Sequence, residues 1–189
     1  MNDNQPAELD VTTRILHLGL AVCGTWAWWL GDGAHDFHHV DHSGYTLHMW
    51  VGLSFTAFLI ARLGYGFFGP RASRFDTWVP YTRARFALVM DDLRTLARFR
   101  IPKPVSHQGL NAAVISLALL LFTWQGISGA IMSLAITPGM RTHGWVHTIQ
   151  DLHGTGGTWI PGYLILHVGA TVLHALNRQQ IWKKMLFLH

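Results

Sequence analysis

Cysteine and charge are both scarce in this chain of 189 residues. The one cysteine, Cys23, lies inside an apolar run, which excludes a disulfide framework, a cysteine-based zinc site and covalent attachment of a c-type haem. Charged residues make up 13% of the chain, about half the share that soluble domains carry. Because 50% of the residues are hydrophobic and fall into runs of about 20, the composition predicts a membrane protein.

Basic residues are missing from positions 1–13, which hold three acidic residues instead. Without a basic n-region or a small-residue cleavage site, we expect the first apolar run to remain as an anchor. Lys and Arg concentrate between 62 and 103 and after 177, whereas the segment 31–44 has three Asp and no basic residue. The positive-inside rule therefore predicts that both termini and the middle loop lie in the cytoplasm. The net charge of +4 reflects this topology, and we expect no nucleic-acid partner.

Four apolar segments are long enough to cross a bilayer as helices. They predict an all-α integral membrane protein, a single domain over 1–189 with a four-helix bundle, and spans at about 13–31, 44–68, 109–136 and 152–177. Pro161 would fall in the first turns of the last span, where a lost hydrogen bond costs least. The segment 80–104 interleaves apolar and basic residues, which indicates an amphipathic helix at the inner membrane surface; the alternative is a solvated basic connector.

Histidine is abundant, with thirteen copies, and five of them lie inside the predicted spans, where His174 is at the cytoplasmic edge. His48 and His153 lie near the outer ends of their spans, whereas His17 and His167 lie toward the cytoplasmic side. His167 follows His153 by 14 residues, which is about 21 Å along a helix and returns to within about 40° of the same face. The last span thus presents two imidazoles at two depths.

Each imidazole of the last span has a histidine at its own depth on another helix. His153 pairs with His48, and His167 pairs with His17. Two such pairs are what two haems b with two axial histidines each require, and bundle cores are where such sites are built. The alternative for any one of them is an interhelical hydrogen bond.

Further residues near the span ends are candidate contacts for haem propionates or for a quinone. Arg14 and Arg62 carry guanidinium groups suited to carboxylates, although they also serve the positive-inside rule. His174 lies seven residues beyond His167, near the cytoplasmic edge, and is not expected to bind iron. His107 lies just before the third span and is expected at the interface.

The outer loop is rich in histidine and aspartate, with His35, His38, His39 and His42 among three Asp. Such a set can bind zinc or copper, but its spacing matches no known motif, and a loop without metal is the alternative. A third interpretation is a docking face, on which acidic residues steer a basic electron carrier.

Several short motifs lie in or near the predicted spans, and some of them contain the histidines considered above. They are Arg14-Ile15-Leu16-His17, Leu47-His48, Ala61-Arg62-Leu63, Gly66-Phe67-Phe68-Gly69-Pro70-Arg71, Arg74-Phe75, Val79-Pro80, Asp151-Leu152-His153, Leu166-His167 and Leu173-His174. Over nearly the whole chain they resemble the prokaryotic cytochrome b561 family, which includes the b-type cytochrome subunits of nickel–iron hydrogenases. The resemblance implies a four-helix bundle with two haems b and axial ligands at His17, His48, His153 and His167. It also implies electron exchange between a membrane quinone pool and a redox partner.

These observations predict transmembrane electron transfer between quinone and a periplasmic redox partner, either a c-type cytochrome or a periplasmic enzyme. An alternative is a stand-alone quinone-linked oxidoreductase that acts on a small redox molecule. A metal-ion transporter would use the intramembrane histidines and the outer loop as a cation path. It would also need acidic residues within the spans, and the first three spans contain none.

Overall fold

The computed structural model describes residues 10–34, 43–100, 102, 108–136, 140–176, 183 and 185. Short 3₁₀ turns flank the second helix at Asp32–Ala34 and Arg71–Ser73. The described residues form no strand, so the all-helical prediction is confirmed. The helices are α1 (Val11–Leu30), α2 (Ser43–Phe68), α3 (Phe75–Trp78), α4 (Arg83–Ala97), α5 (Gly109–Ala135) and α6 (Trp145–Leu176).

The start of α1 is fixed by Asp10, whose carboxylate caps the helix by accepting a hydrogen bond from the N–H of Thr13 at 2.7 Å. The hydroxyl groups of Thr13 and Ser73, both buried, are hydrogen-bonded at 2.9 Å. Burial opposes ionisation of Asp10, but hydrogen bonds from Thr13, Tyr65 and Ser73 hold the pKa of its carboxyl below its usual value. These contacts tie the beginning of α1 to the turn that follows α2.

Helices α1 and α2 approach each other closely because glycines of α1 face aromatic rings of α2. A Cβ atom on Gly19 would lie 2.4 Å from the Phe58 ring, and one on Gly24 would lie 3.0 Å from the Phe55 ring. Both rings therefore occupy space that any larger residue of α1 would fill. Small residues at a helix crossing are the usual way to bring two membrane helices together.

Helix α5 contacts α2, α4 and α6 and is the central element of the described fold. Its small residues are the most buried: Ala112 and Ser128 have no exposed surface, and Gly126 lies against Thr56 and Leu59 of α2. The first turn of α5 is held by α4, since the carboxylate of Asp92 accepts a hydrogen bond from the N–H of Leu110 at 2.8 Å. Gly109, the first residue of α5, has a φ of +62°, a backbone conformation that glycine adopts readily.

The predicted connector 80–104 contains α4, which Thr82 caps by accepting a hydrogen bond from the N–H of Arg85. Only Val89 of α4 is buried. Its larger apolar side chains stay exposed on the described structure, among them Phe86, Leu88, Leu93 and Leu96. An apolar face of this kind matches the amphipathic pattern of the sequence.

Helix α6 begins at Trp145, well before the predicted start at 152. Pro161 consequently lies in the interior of the helix, and the prediction that it belongs to the first turns was wrong. Glycine is a poor helix former, and three glycines, at 154, 156 and 157, lie close to the predicted start of this span. In the structure α6 continues through them, and side chains of α5 contact it there.

Two of the helices described here are long and apolar enough to cross a membrane, over residues 44–68 and 109–135, with mean hydropathy of 1.5 and 1.8. Only 17% of each apolar window is buried, so most of its apolar surface faces outward. By the same measure α1 and α6 do not qualify. Both still carry large exposed apolar side chains, such as Trp26 and Trp29 on α1 and Ile165 and Leu176 on α6.

Candidate functional site

The structure brings His17, His48, His153 and His167 together as two ring pairs. The ring centres of His17 on α1 and His167 on α6 are 6.1 Å apart, with 43° between the ring planes. The ring centres of His48 on α2 and His153 on α6 are also 6.1 Å apart, with 87° between the planes. Each pair therefore joins α6 to one of the first two helices.

Hydrogen bonds hold both rings of the His48/His153 pair. The Nδ1 atom of His48 lies 2.8 Å from the carbonyl oxygen of Ala27, so we assign the proton to Nδ1. The Nδ1 atom of His153 lies 2.8 Å from the Ser128 hydroxyl oxygen, which itself donates to the Trp124 carbonyl at 2.7 Å. Because the Ser128 hydroxyl donates its single proton to the Trp124 carbonyl, its oxygen accepts a hydrogen bond from Nδ1–H of His153. Both assignments leave the lone pair on Nε2, the arrangement that metal-ligating histidines use.

Stacking orients the His17/His167 pair. The ring of Tyr163 lies 5.4 Å from the ring of His167 with 20° between the planes, one helical turn earlier on α6. No residue in the described part of the chain forms a hydrogen bond with a ring nitrogen of His17 or His167. The two pairs thus differ in what surrounds their imidazoles.

Aromatic rings fill the space between the two pairs. Tyr163 makes an edge-to-face contact with Phe122 of α5 at 5.2 Å, and Phe122 makes another with Phe55 of α2 at 5.5 Å. Phe55 lies two helical turns from His48, and Tyr163 touches His167. These three rings form a continuous contact from one histidine level toward the other.

The ring spacing fits a metal ion held between each pair. A metal–nitrogen bond of about 2.0 Å plus roughly 1.2 Å from nitrogen to ring centre places two imidazoles on one metal about 6.4 Å apart. The observed separation of 6.1 Å is close to that value. The described residues contain no cluster of three or more His, Cys, Asp or Glu side chains that could hold a metal ion. Two protein ligands suit a haem iron, whose other four ligands are porphyrin nitrogens, better than zinc.

Comparison with known proteins decides the family. The sequence profile described as prokaryotic cytochrome b561 matches residues 8–187. The chain belongs to this family. Its members are membrane proteins that transfer electrons with b-type haem, so the resemblance predicted from the sequence is confirmed. Searches of curated proteins and of solved structures give no match.

Of the other residues predicted for the cytochrome b561 site, the structure describes the side chains of Arg14 and Arg62 only. The guanidinium of Arg62 lies over the Phe75 ring at 5.4 Å, and its Nη1 atom is buried with no hydrogen-bond partner in the described residues. Arg14 lies one turn before His17 on α1. His174 belongs to α6, but its side chain is outside the described part of the chain, as are His107 and the loop histidines at 35, 38, 39 and 42.

Three site residues were not predicted from the sequence: Tyr163, Ser128 and Gln125. All three are polar side chains within apolar helices, where such groups are costly and therefore informative. This signal was available in the sequence, but their partners become visible only when α5 and α6 are packed together.

Proposed function

We propose that this chain is a transmembrane electron carrier whose four long helices, α1, α2, α5 and α6, enclose two haems b. The observation that carries the proposal is the pair of ring separations, 6.1 Å each, at two levels of one bundle. His48 and His153 would hold the outer haem, and His17 and His167 the inner haem. Arg62 would bind an inner-haem propionate, because its Nη1 atom is a buried donor with no hydrogen-bond partner among the described residues.

The proposed topology places both termini and α4 on the cytoplasmic side of a bacterial inner membrane. Exposed apolar side chains on all four long helices support burial in lipid, including α1 and α6, whose polar residues lower their mean hydropathy. The turn after α2, which carries Arg71 and Arg74, contacts the start of α1 through Ser73 and Thr13, at the end of α1 nearer to His17, and this supports the orientation expected from the positive-inside rule. The exposed apolar face of α4 supports its placement at the inner membrane surface.

Haem, when bound, supplies the change between ferric and ferrous iron that carries one electron. The protein contributes the rest. His17, His48, His153 and His167 would give each iron two imidazoles and leave no position open for oxygen or peroxide, which would restrict the site to electron transfer. Phe122 and Tyr163 are in edge-to-face contact and would form part of the apolar layer between the two levels, which lie about 21 Å apart along α6.

Electrons would pass between a quinone in the membrane and a periplasmic redox partner, a c-type cytochrome or an enzyme. A cavity of about 530 Å³ between α2, α3 and α5 supports the quinone part, because its size and mostly apolar lining suit a small apolar ligand. Phe75 lines this cavity and also contacts Arg62. The acidic outer segment supports docking of a basic partner. A stand-alone quinone-linked oxidoreductase is the second candidate, since a bundle with two haems suits both.

A reduced-minus-oxidised spectrum with a haem assay per chain tests the proposal. We expect two haems b per chain, and fewer than two would contradict the pairing. His48→Ala should remove the outer haem and leave the inner one, whereas retention of both would refute His48 as a ligand. The matched control is His147→Ala, because His147 is exposed at the start of α6 and should leave both haems in place.

A further inference from the structure

Three polar side chains of α5, none of them a proposed haem ligand, form hydrogen bonds with α6 around His153. The indole N–H of Trp124 donates to the carbonyl of Leu152 at 3.3 Å. The Gln125 amide, in the orientation that satisfies both of its ends, donates to the carbonyl of His153 at 3.1 Å and accepts from the N–H of Gly157 at 3.2 Å. One turn later, Ser128 accepts from the His153 ring.

The Gln125 amide contacts both partners of one hydrogen bond of the helical ladder. In an α-helix the N–H of Gly157 bonds to the carbonyl of His153, four residues earlier. The amide of Gln125 donates to that carbonyl and accepts from that N–H, so it links α5 to the backbone of α6 at the level of His153. Pro161 loosens the same stretch, because it has no N–H to give to the carbonyl of Gly157.

The absence of a side chain at Gly156 leaves room for the Gln125 amide against α6. A Cβ atom there would lie 2.5 Å from the Gln125 amide and 3.2 Å from the Trp124 ring. Gly129 plays the matching part on α5, since a Cβ atom on it would lie 3.3 Å from the His153 ring. Gly156 and Gly129 therefore keep open the space that the Gln125 amide and the His153 ring occupy.

We propose that Gln125 and Ser128 are positioning residues for His153, an inference that rests on the proposed function. Gln125 fixes the backbone from which the imidazole extends, and Ser128 fixes the tautomer and the rotation of the ring. Ser128 also accepts a hydrogen bond from Nδ1–H, which makes the imidazole a stronger electron donor to the iron. A stronger donor stabilises the ferric form, so this contact lowers the reduction potential of the outer haem relative to the same site without it.

Ser128→Ala removes the hydroxyl with the smallest change in volume. We expect a higher reduction potential and an altered low-spin electron paramagnetic resonance (EPR) signal for the outer haem, with the inner haem unchanged. Ser133→Ala is the matched control, because the Ser133 hydroxyl bonds only to the Ala130 carbonyl of its own helix. Selective loss of the outer haem from Ser128→Ala would also support the proposal. An outer-haem potential and signal equal to those of Ser133→Ala would overturn it.

Gln125→Met tests the backbone contact and does not depend on how well Ser128→Ala folds. It keeps the side-chain length and removes both the N–H donor and the oxygen acceptor of the amide, so the contacts with the His153 carbonyl and the Gly157 N–H are lost. We expect a shifted outer-haem signal, and Gly156→Ala should reproduce it by displacing Gln125. A signal identical to wild type in both variants would overturn the role of Gln125. Failure of the proposed function is distinguishable, since wild-type protein would then contain fewer than two haems.

Discussion

Tyr163 offers a sharp test of how the inner histidine pair is held. Its ring stacks on His167 at 5.4 Å and meets Phe122 edge-to-face at 5.2 Å. Aromatic pairs contribute about 0.5–1.5 kcal/mol each beyond the area they bury, so losing two costs about 1–3 kcal/mol. Tyr163→Leu should therefore lower the free energy of unfolding by about 1–3 kcal/mol, whereas Tyr163→Phe, which keeps both ring contacts, should stay close to wild type.

Denaturant unfolding in detergent, followed by the haem absorbance, measures this difference. The same samples give a second readout, because a freed His167 ring should broaden the low-spin EPR signal of the inner haem and leave the outer haem unchanged. Phe68→Leu is a suitable control, since Phe68 is 92% exposed and its ring lies outside the bundle. Equal stability and equal spectra for Tyr163→Leu and Tyr163→Phe would refute the role given to the stacked ring.

Three further predictions concern the ends of the helices and their crossing. Asp10→Ala should lower stability by about 1 kcal/mol through loss of the cap, and because the pKa of Asp10 is depressed, the difference in Tm from wild type should shrink as pH falls below about 4. Gly19→Leu should destabilise by about 1–3 kcal/mol or more, because Phe58 must move; unchanged thermal stability would contradict the close approach of α1 and α2. Arg62→Met should lower the reduction potential of the inner haem alone, since a positive charge favours the ferrous form; a redox titration that shows no shift would remove Arg62 from the site.

The histidine pairs were accessible from sequence because helical geometry is regular. A rise of 1.5 Å and a turn of 100° per residue relate His153 to His167 without any knowledge of packing. Matching depths on α1 and α2 then suggested which rings meet, and the structure brings those rings to within 6.1 Å of each other. Regular periodicity and charge distribution carried this part of the inference.

The first half of α6 could not be predicted in the same way. Gly154, Gly156 and Gly157 indicate a helix end when only local preference is considered. In the structure Trp124 and Gln125 supply hydrogen-bond partners from α5, and the helix extends back to Trp145. Tertiary contacts outweigh propensity here, and contacts between distant segments are not encoded in the periodicity of either one.

Because each ring pair joins α6 to α1 or α2, neither pair exists while the ribosome is still making the first 144 residues. The nascent chain inserts with His17 and His48 lacking their partners on α6. The early helices must therefore hold together through their own contacts, such as Gly19 against Phe58. With haems held as proposed, cofactor loading would follow the synthesis of α6, and a truncation before α6 should yield a membrane-inserted, colourless protein.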